Sequence, residues 1–153
     1  MLPGQYYVQD ETTTAALAAR LAPQLRAGDV VTLTGDLGAG KTAFARALIN
    51  ARAGTETEVP SPTFTLVQVY DLADVSIWHF DLYRLEEEEK DILEIGWDEA
   101  RRSGVSLVEW PDRLGGLLPR DRLEINIQFD PAAETARRIT ITPVGKLADR
   151  IKL

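Results

Sequence analysis

Eight consecutive residues, Gly35-Asp36-Leu37-Gly38-Ala39-Gly40-Lys41-Thr42, fit the pattern G-x-x-x-x-G-K-[ST]. The chain's own usage of Gly, Lys, Ser and Thr gives roughly 0.002 such matches by chance, so composition does not explain the motif. Its chemistry is phosphate binding. Glycines let backbone N–H groups turn inward and approach phosphate oxygens with no Cβ in the way. A helix starting at Lys41 would aim its positive end at the same oxygens. Asp36, Leu37, Gly38, Ala39 and Gly40 are therefore expected to wrap the phosphates. Lys41 is expected to bridge the β- and γ-phosphates of ATP, and Thr42 to ligate Mg²⁺ through its hydroxyl. A strand-to-helix turn that binds nothing needs neither the Lys nor the Thr. As an exposed loop cation, Lys41 should add little to stability.

Phosphate chemistry of this kind needs an acid at a second strand end, to hold Mg²⁺ or its waters. Two runs supply one. Leu107-Val108-Glu109-Trp110 ends an apolar run in an acid, and so does Ile77-Trp78-His79-Phe80-Asp81. An unpaired carboxylate beside an apolar strand is costly to bury, so each predicts a metal or hydrogen-bond partner. Glu109, Asp81 and Thr42 are the metal candidates, and Lys41, Asp81 and Glu109 the catalytic ones. Asp81 also fits as the cap of a helix near Leu85. His79, the single histidine, reads as structural rather than as a ligand or base. Glu86 to Glu89 reads as a solvated helix face. Trp97 and Trp110 read as core or rim aromatics, with Trp110 placed beside Glu109 to cover a nucleotide or a partner.

The elements that position these residues can be read from periodicity. Val30 to Thr34 is a buried strand running straight into the glycine-rich loop, and Lys41 to Ala51 is the helix after it. Before them come a short strand, Gln5 to Val8, and a helix over about Thr13 to Arg26 that ends at Gly28. Gly54 to Pro62 is a polar loop. Thr65 to Tyr70 and Val75 to Phe80 suggest a hairpin. Leu85 to Ile95 and Trp97 to Arg102 are helical, and Val105 to Val108 is a second buried strand. Alternation at Leu123, Ile125, Ile127 and Phe129, and again over Arg138 to Thr142, predicts an antiparallel C-terminal hairpin with one buried face. The expected fold is α/β: a three-layer P-loop domain with a mixed central sheet, in one domain of 153 residues.

Composition bounds the function. With 17 basic and 24 acidic residues the net charge is −7, a poor direct grip on nucleic acid or an anionic membrane. With no cysteine and one histidine, disulfides, thiolate chemistry and multi-histidine metal sites are excluded. The longest uncharged run, Val59 to Tyr70, is too short to span a membrane, and the polar N-terminus does not read as a signal peptide. A cytoplasmic location is expected.

Four motifs together resemble one known family. Gly35-Asp-Leu-Gly-Ala-Gly-Lys-Thr42, Ser61-Pro-Thr-Phe64, His79-Phe-Asp-Leu-Tyr-Arg-Leu85 and Val108-Glu-Trp-Pro111 are similar, in order and spacing, to the TsaE family, formerly YjeE. The resemblance spans about residues 5 to 143. It implies a bacterial ATPase required for threonylcarbamoyl modification of adenosine 37 in tRNAs that read ANN codons. Such proteins work with TsaB and TsaD. TsaD carries out the transfer, and ATP hydrolysis by TsaE resets or supports the complex, with the tRNA held by the partners. The resemblance implies that Gly38 to Thr42 hold phosphates, that Thr42 and Glu109 hold Mg²⁺, and that Asp81 is a catalytic or metal-water acid. Trp110 and the Ser61-Pro62-Thr63 loop would respond to nucleotide and partner, with Thr63 sensing the γ-phosphate or Mg²⁺. Glu11, Thr12 and Arg137 are implied contacts for the adenine end. Two residues depart mildly from the family pattern, Phe64 and Ala43.

Other classes stay open at this point. A small-molecule kinase of the P-loop class would carry a lid with several arginines, and neither Arg101-Arg102 nor Arg137-Arg138 has one around it. A GTPase would carry N-K-x-D, which is absent. A binding module without turnover is not distinguished by sequence.

Overall fold

The computed structural model describes residues 4–55, 66–85 and 89–153, with residues 89 and 90 described by backbone alone. Thr63, its Ser61-Pro62-Thr63 loop, Phe64 and the acids Glu86 to Glu88 lie outside the described residues. Strands and helices follow in the order β1 (Gln5–Val8), α1 (Glu11–Leu21), β2 (Val30–Thr34), α2 (Lys41–Ala53), β3 (Val67–Asp71), β4 (Ser76–Asp81), α3 (Glu89–Glu94), α4 (Trp97–Ser103), β5 (Gly104–Glu109), β6 (Arg122–Asp130) and β7 (Ala133–Val144).

The seven strands form one mixed sheet in the order β1-β7-β6-β2-β5-β4-β3. β2 pairs in parallel with β5 on one side and β6 on the other, and β4 is parallel to β5. The β3–β4 and β6–β7 pairs are antiparallel hairpins, and β1 adds antiparallel to β7. The expected mixed sheet and C-terminal hairpin are therefore present.

Two apolar clusters cover the two faces, as a three-layer arrangement requires. On one face Leu17 and Leu21 of α1 and Phe44, Leu48 and Ile49 of α2 pack on Val31, Leu33, Leu107, Ile125 and Ile139. On the other, Ile92, Trp97 and Ala100 pack with Leu114 on Val30, Phe80 and Val108. β2 alternates between both clusters, so its apolar residues are buried whichever way they point.

Two helices differ from expectation at their boundaries. α1 begins at Glu11, because Asp10 accepts a bond from the Thr13 backbone N–H at 2.9 Å and caps it. It stops at Leu21, and Pro23 sits in a 3-10 turn over Ala22–Gln24. Leu85, expected to open a helix, lies in a turn with its N–H on Leu82 O, 3.1 Å away, and the next helix is described from Glu89. No helix among the described residues is long and apolar enough to cross a membrane.

Candidate functional site

The parallel strands β2, β4 and β5 end on the same side of the sheet. Register places Leu33 opposite Glu109 and Asp81 opposite Glu109, so both acids stand beside the exit of β2. That exit is the glycine-rich loop. Crevices outside the carboxyl ends of parallel strands are where α/β folds bind ligands.

The loop's shape demands its glycines. Gly35 has φ +148, and a Cβ there would collide with the carbonyl oxygen of Ile127. Gly40 caps α2 with φ 111, in the left-handed region. The loop is also tied to the C-terminal hairpin. Arg137 Nε donates to Ala39 O at 2.8 Å, while its guanidinium lies 4.5 Å from the centroid of the Phe129 ring.

Lys41 is not the exposed cation expected from sequence. It is 5 % exposed, and its Nζ donates to Gly35 O at 2.6 Å and Asp36 O at 3.0 Å. Trp110 closes over it, with Nζ 4.4 Å from the ring centroid. Trp110 reaches this position from a left-handed backbone, φ 60, and Tyr83 tilts against it at 4.9 Å between centroids. Burial pushes the Lys41 ammonium below the usual lysine range, opposed by the charges of Glu109, Asp81 and Asp36.

Glu109 and Asp81 are buried at the end of their strands. The Thr42 hydroxyl donates to Glu109, 3.1 Å from Oε1 and 3.0 Å from Oε2. His79 Nε2 lies 2.7 Å from Glu109 Oε2. Asp81 accepts from the Tyr83 N–H at 3.1 Å and so shapes the turn after β4. Glu109, Asp81, Lys41, Thr42, Leu37, Gly38, Gly40, Trp110, Tyr83 and Arg84 line one cleft of about 390 Å³.

A second cleft, of about 550 Å³, opens on the other side of Gly40 and Ala43. Glu11, Thr14 and Ala15 of α1, Ala47 and Asn50 of α2, and Ile127, Thr135 and Arg137 of the hairpin line it. Of the residues expected at an adenine, Glu11 and Arg137 are here. Thr12 is not: it is exposed on α1 and faces neither cleft. Arg46 also lines this second cleft. Sequence reasoning missed Thr14, Asn50 and Tyr83. For Thr14 the helical spacing from Glu11 was a usable signal.

The oxygen-donor set suits Mg²⁺. The described residues hold no cluster of three or more His, Cys, Asp and Glu that would cage a metal by itself. A hydroxyl with one or two carboxylates, completed by phosphate oxygens and water, is how Mg²⁺ is held beside a nucleotide.

Residues 8–139 match the family described as "Threonylcarbamoyl adenosine biosynthesis protein TsaE". A tRNA threonylcarbamoyladenosine biosynthesis protein TsaE from Bacillus subtilis is 41% identical over 133 residues, 86% of this chain and 80% of that protein. Its namesake from Rickettsia felis is 41% identical over 121 residues, 79% of this chain and 70% of that one. The crystal structure of YdiB from Bacillus subtilis superimposes with a TM-score of 0.75 at 34% identity, covering 92% of this chain and 85% of the other. The sheet, the glycine-rich loop and the acids at the ends of β4 and β5 thus sit within a sequence match that runs from β1 into β7, and the chain belongs to the TsaE family of threonylcarbamoyladenosine biosynthesis proteins.

Proposed function

We propose that this chain binds ATP with Mg²⁺ across the two clefts and hydrolyses it, as a cytoplasmic accessory to TsaB and TsaD in tRNA threonylcarbamoyladenosine formation. One observation carries the reading: Lys41, Thr42, Asp81 and Glu109 converge under a glycine-rich loop at the ends of three parallel strands. The phosphates take the loop, Gly38 to Thr42, where backbone N–H groups and the α2 N-terminus face them. Lys41 exchanges its two carbonyl contacts for phosphate oxygens. Thr42 and Glu109 hold Mg²⁺, with Asp81 on the metal or its water. Bound there, the ion neutralises charge on the phosphates. The adenine lies in the larger cleft beside Glu11 and Arg137, and the absence of N-K-x-D favours adenine over guanine.

Partners enter through what phosphoryl transfer requires. An arginine aimed at the γ-phosphate accelerates such reactions about 10³–10⁵-fold. Arg84 lines the phosphate cleft but is exposed at its rim. Slow turnover by the isolated chain and acceleration by TsaB–TsaD follow. With a net charge of −7, the chain leaves tRNA to those partners.

The test is equilibrium binding of ATP, followed by steady-state turnover with and without TsaB–TsaD. Binding with slow, partner-stimulated release of phosphate supports the reading. Failure to bind ATP overturns it. Transfer of labelled phosphate to a metabolite instead of water would make the chain a small-molecule kinase of the P-loop class.

A further inference from the structure

His79 is wholly buried in β4 and lies opposite Leu107 of β5. Strand alternation puts it on the same face as Asp81, and puts Leu107 on the same face as Glu109. The imidazole therefore reaches diagonally across the strand pair to Glu109 Oε2, at 2.7 Å. Its other nitrogen, Nδ1, is buried with no hydrogen-bond partner among the described residues. A ring N–H stranded there would be a buried donor without an acceptor, which folded proteins avoid. The ring proton thus belongs on Nε2, where it is donated to Glu109.

Glu109 then receives two donors from different directions, the His79 ring from the strand side and the Thr42 hydroxyl from α2. Filling the core asks only for an apolar side chain. It does not ask for a ring whose one satisfied nitrogen meets a buried acid. We propose that His79 is a positioning residue, whose Nε2–H fixes the Glu109 carboxylate in the orientation in which it serves Mg²⁺. This rests on the reading that the site takes Mg²⁺ with ATP. Hydrogen-bonded supports of this kind are worth about 10–100-fold in metal affinity.

His79 is the single histidine, so its ring nitrogens give unambiguous ¹⁵N signals in the full chain. The expected spectrum shows a protonated, hydrogen-bonded Nε2 and a lone pair on Nδ1. A proton on Nδ1 overturns the proposal. Two variants supply the second readout. His79→Gln can place an amide N–H near the position of Nε2, and His79→Leu places none. The Mg²⁺ concentration for half-maximal ATP turnover should rise about 10–100-fold in His79→Leu and return towards wild type in His79→Gln. Nucleotide affinity in EDTA should be the same in all three. An unchanged Mg²⁺ requirement in His79→Leu, or a folded His79→Gln as impaired as His79→Leu, overturns the positioning role. Should His79→Leu fail to fold, His79→Asn, whose shorter amide does not reach Glu109, replaces it. Failure of the ATP reading is separately visible: the wild-type chain would not bind ATP, while the ¹⁵N result would still decide the hydrogen bond.

Discussion

The two clefts that meet at Gly40 and Ala43 are lined differently. The smaller is walled by buried charge: Lys41 between loop carbonyls and an indole, Glu109 between a histidine and a threonine, and Asp81 on a backbone N–H. The larger carries a run of alanines, Ala15, Ala19, Ala43, Ala47 and Ala51, beside Phe44, Ile127 and Ile139, and polar groups that include Glu11, Arg46, Asn50 and Arg137. Charges held rigid before a ligand arrives serve chemistry, because they need no reorganisation when charge develops. Alanine walls serve shape, because they admit a flat apolar body and contribute little else. On the proposed reading, the difference means that chemistry in the smaller cleft and recognition in the larger can be damaged separately.

Lys41→Ala should have the largest effect. It removes the phosphate cation, so ATP binding weakens and hydrolysis is lost. It also leaves the carbonyls of Gly35 and Asp36 without their donor, at a cost of about 1–3 kcal/mol in denaturant unfolding. Normal hydrolysis in this variant would break the assignment of the smaller cleft. Glu109→Gln comes next. It keeps the shape and discards the charge, so nucleotide binding survives while Mg²⁺-dependent turnover falls about 10²–10³-fold, the scale on which one preorganised electrostatic contact acts. An unchanged Mg²⁺ dependence would pass the metal role to Asp81.

Ala15→Leu sharpens the other side of the comparison. It keeps a good helix former on α1 and puts three more carbons into the larger cleft. ATP and ADP affinities should fall together by roughly tenfold, the scale of an overpacked contact, with the Mg²⁺ requirement unmoved. A change in the Mg²⁺ requirement would mean that the clefts are not separable. Asp10→Asn has the smallest effect, seen only against pH. Bonds from the Thr13 backbone and hydroxyl hold the Asp10 carboxyl below its ordinary value. Its charged form therefore stabilises the fold above the unfolded carboxylate range, and this is lost as pH falls through the lowered value. Asn caps without charge. The stability difference between wild type and variant should be present at pH 7 and disappear in acid, read from denaturation midpoints.

The same division governs what could be read from sequence. The glycine-rich loop was legible because its eight residues are contiguous and their types are demanding. Glu109 and Asp81 were legible because an acid at the end of an apolar strand asks for a partner. The hairpins and the mixed sheet followed from alternation. What stayed hidden depends on register. The bond from His79 to Glu109 joins residues thirty apart in the chain, and nothing local announces it. The burial of Lys41 depends on Trp110 taking a left-handed backbone that sequence does not signal. The larger cleft draws on α1, α2, β6 and β7, and its alanines look like ordinary helix filler.

The pairing of β2 has a temporal consequence. Its neighbours β5 and β6 lie about seventy and ninety residues further along the chain, and the seat of Gly35 against Ile127 is part of β6. The β3–β4 and β6–β7 hairpins can close early, because their strands are near neighbours in sequence. β2 must wait, since long-range parallel pairing carries its loop-closure entropy before any contact rewards it. The eight residues of the glycine-rich loop are therefore finished late. A chain emerging from the ribosome carries the whole motif long before it carries the site, and acquires the site only when a distant hairpin docks beside it.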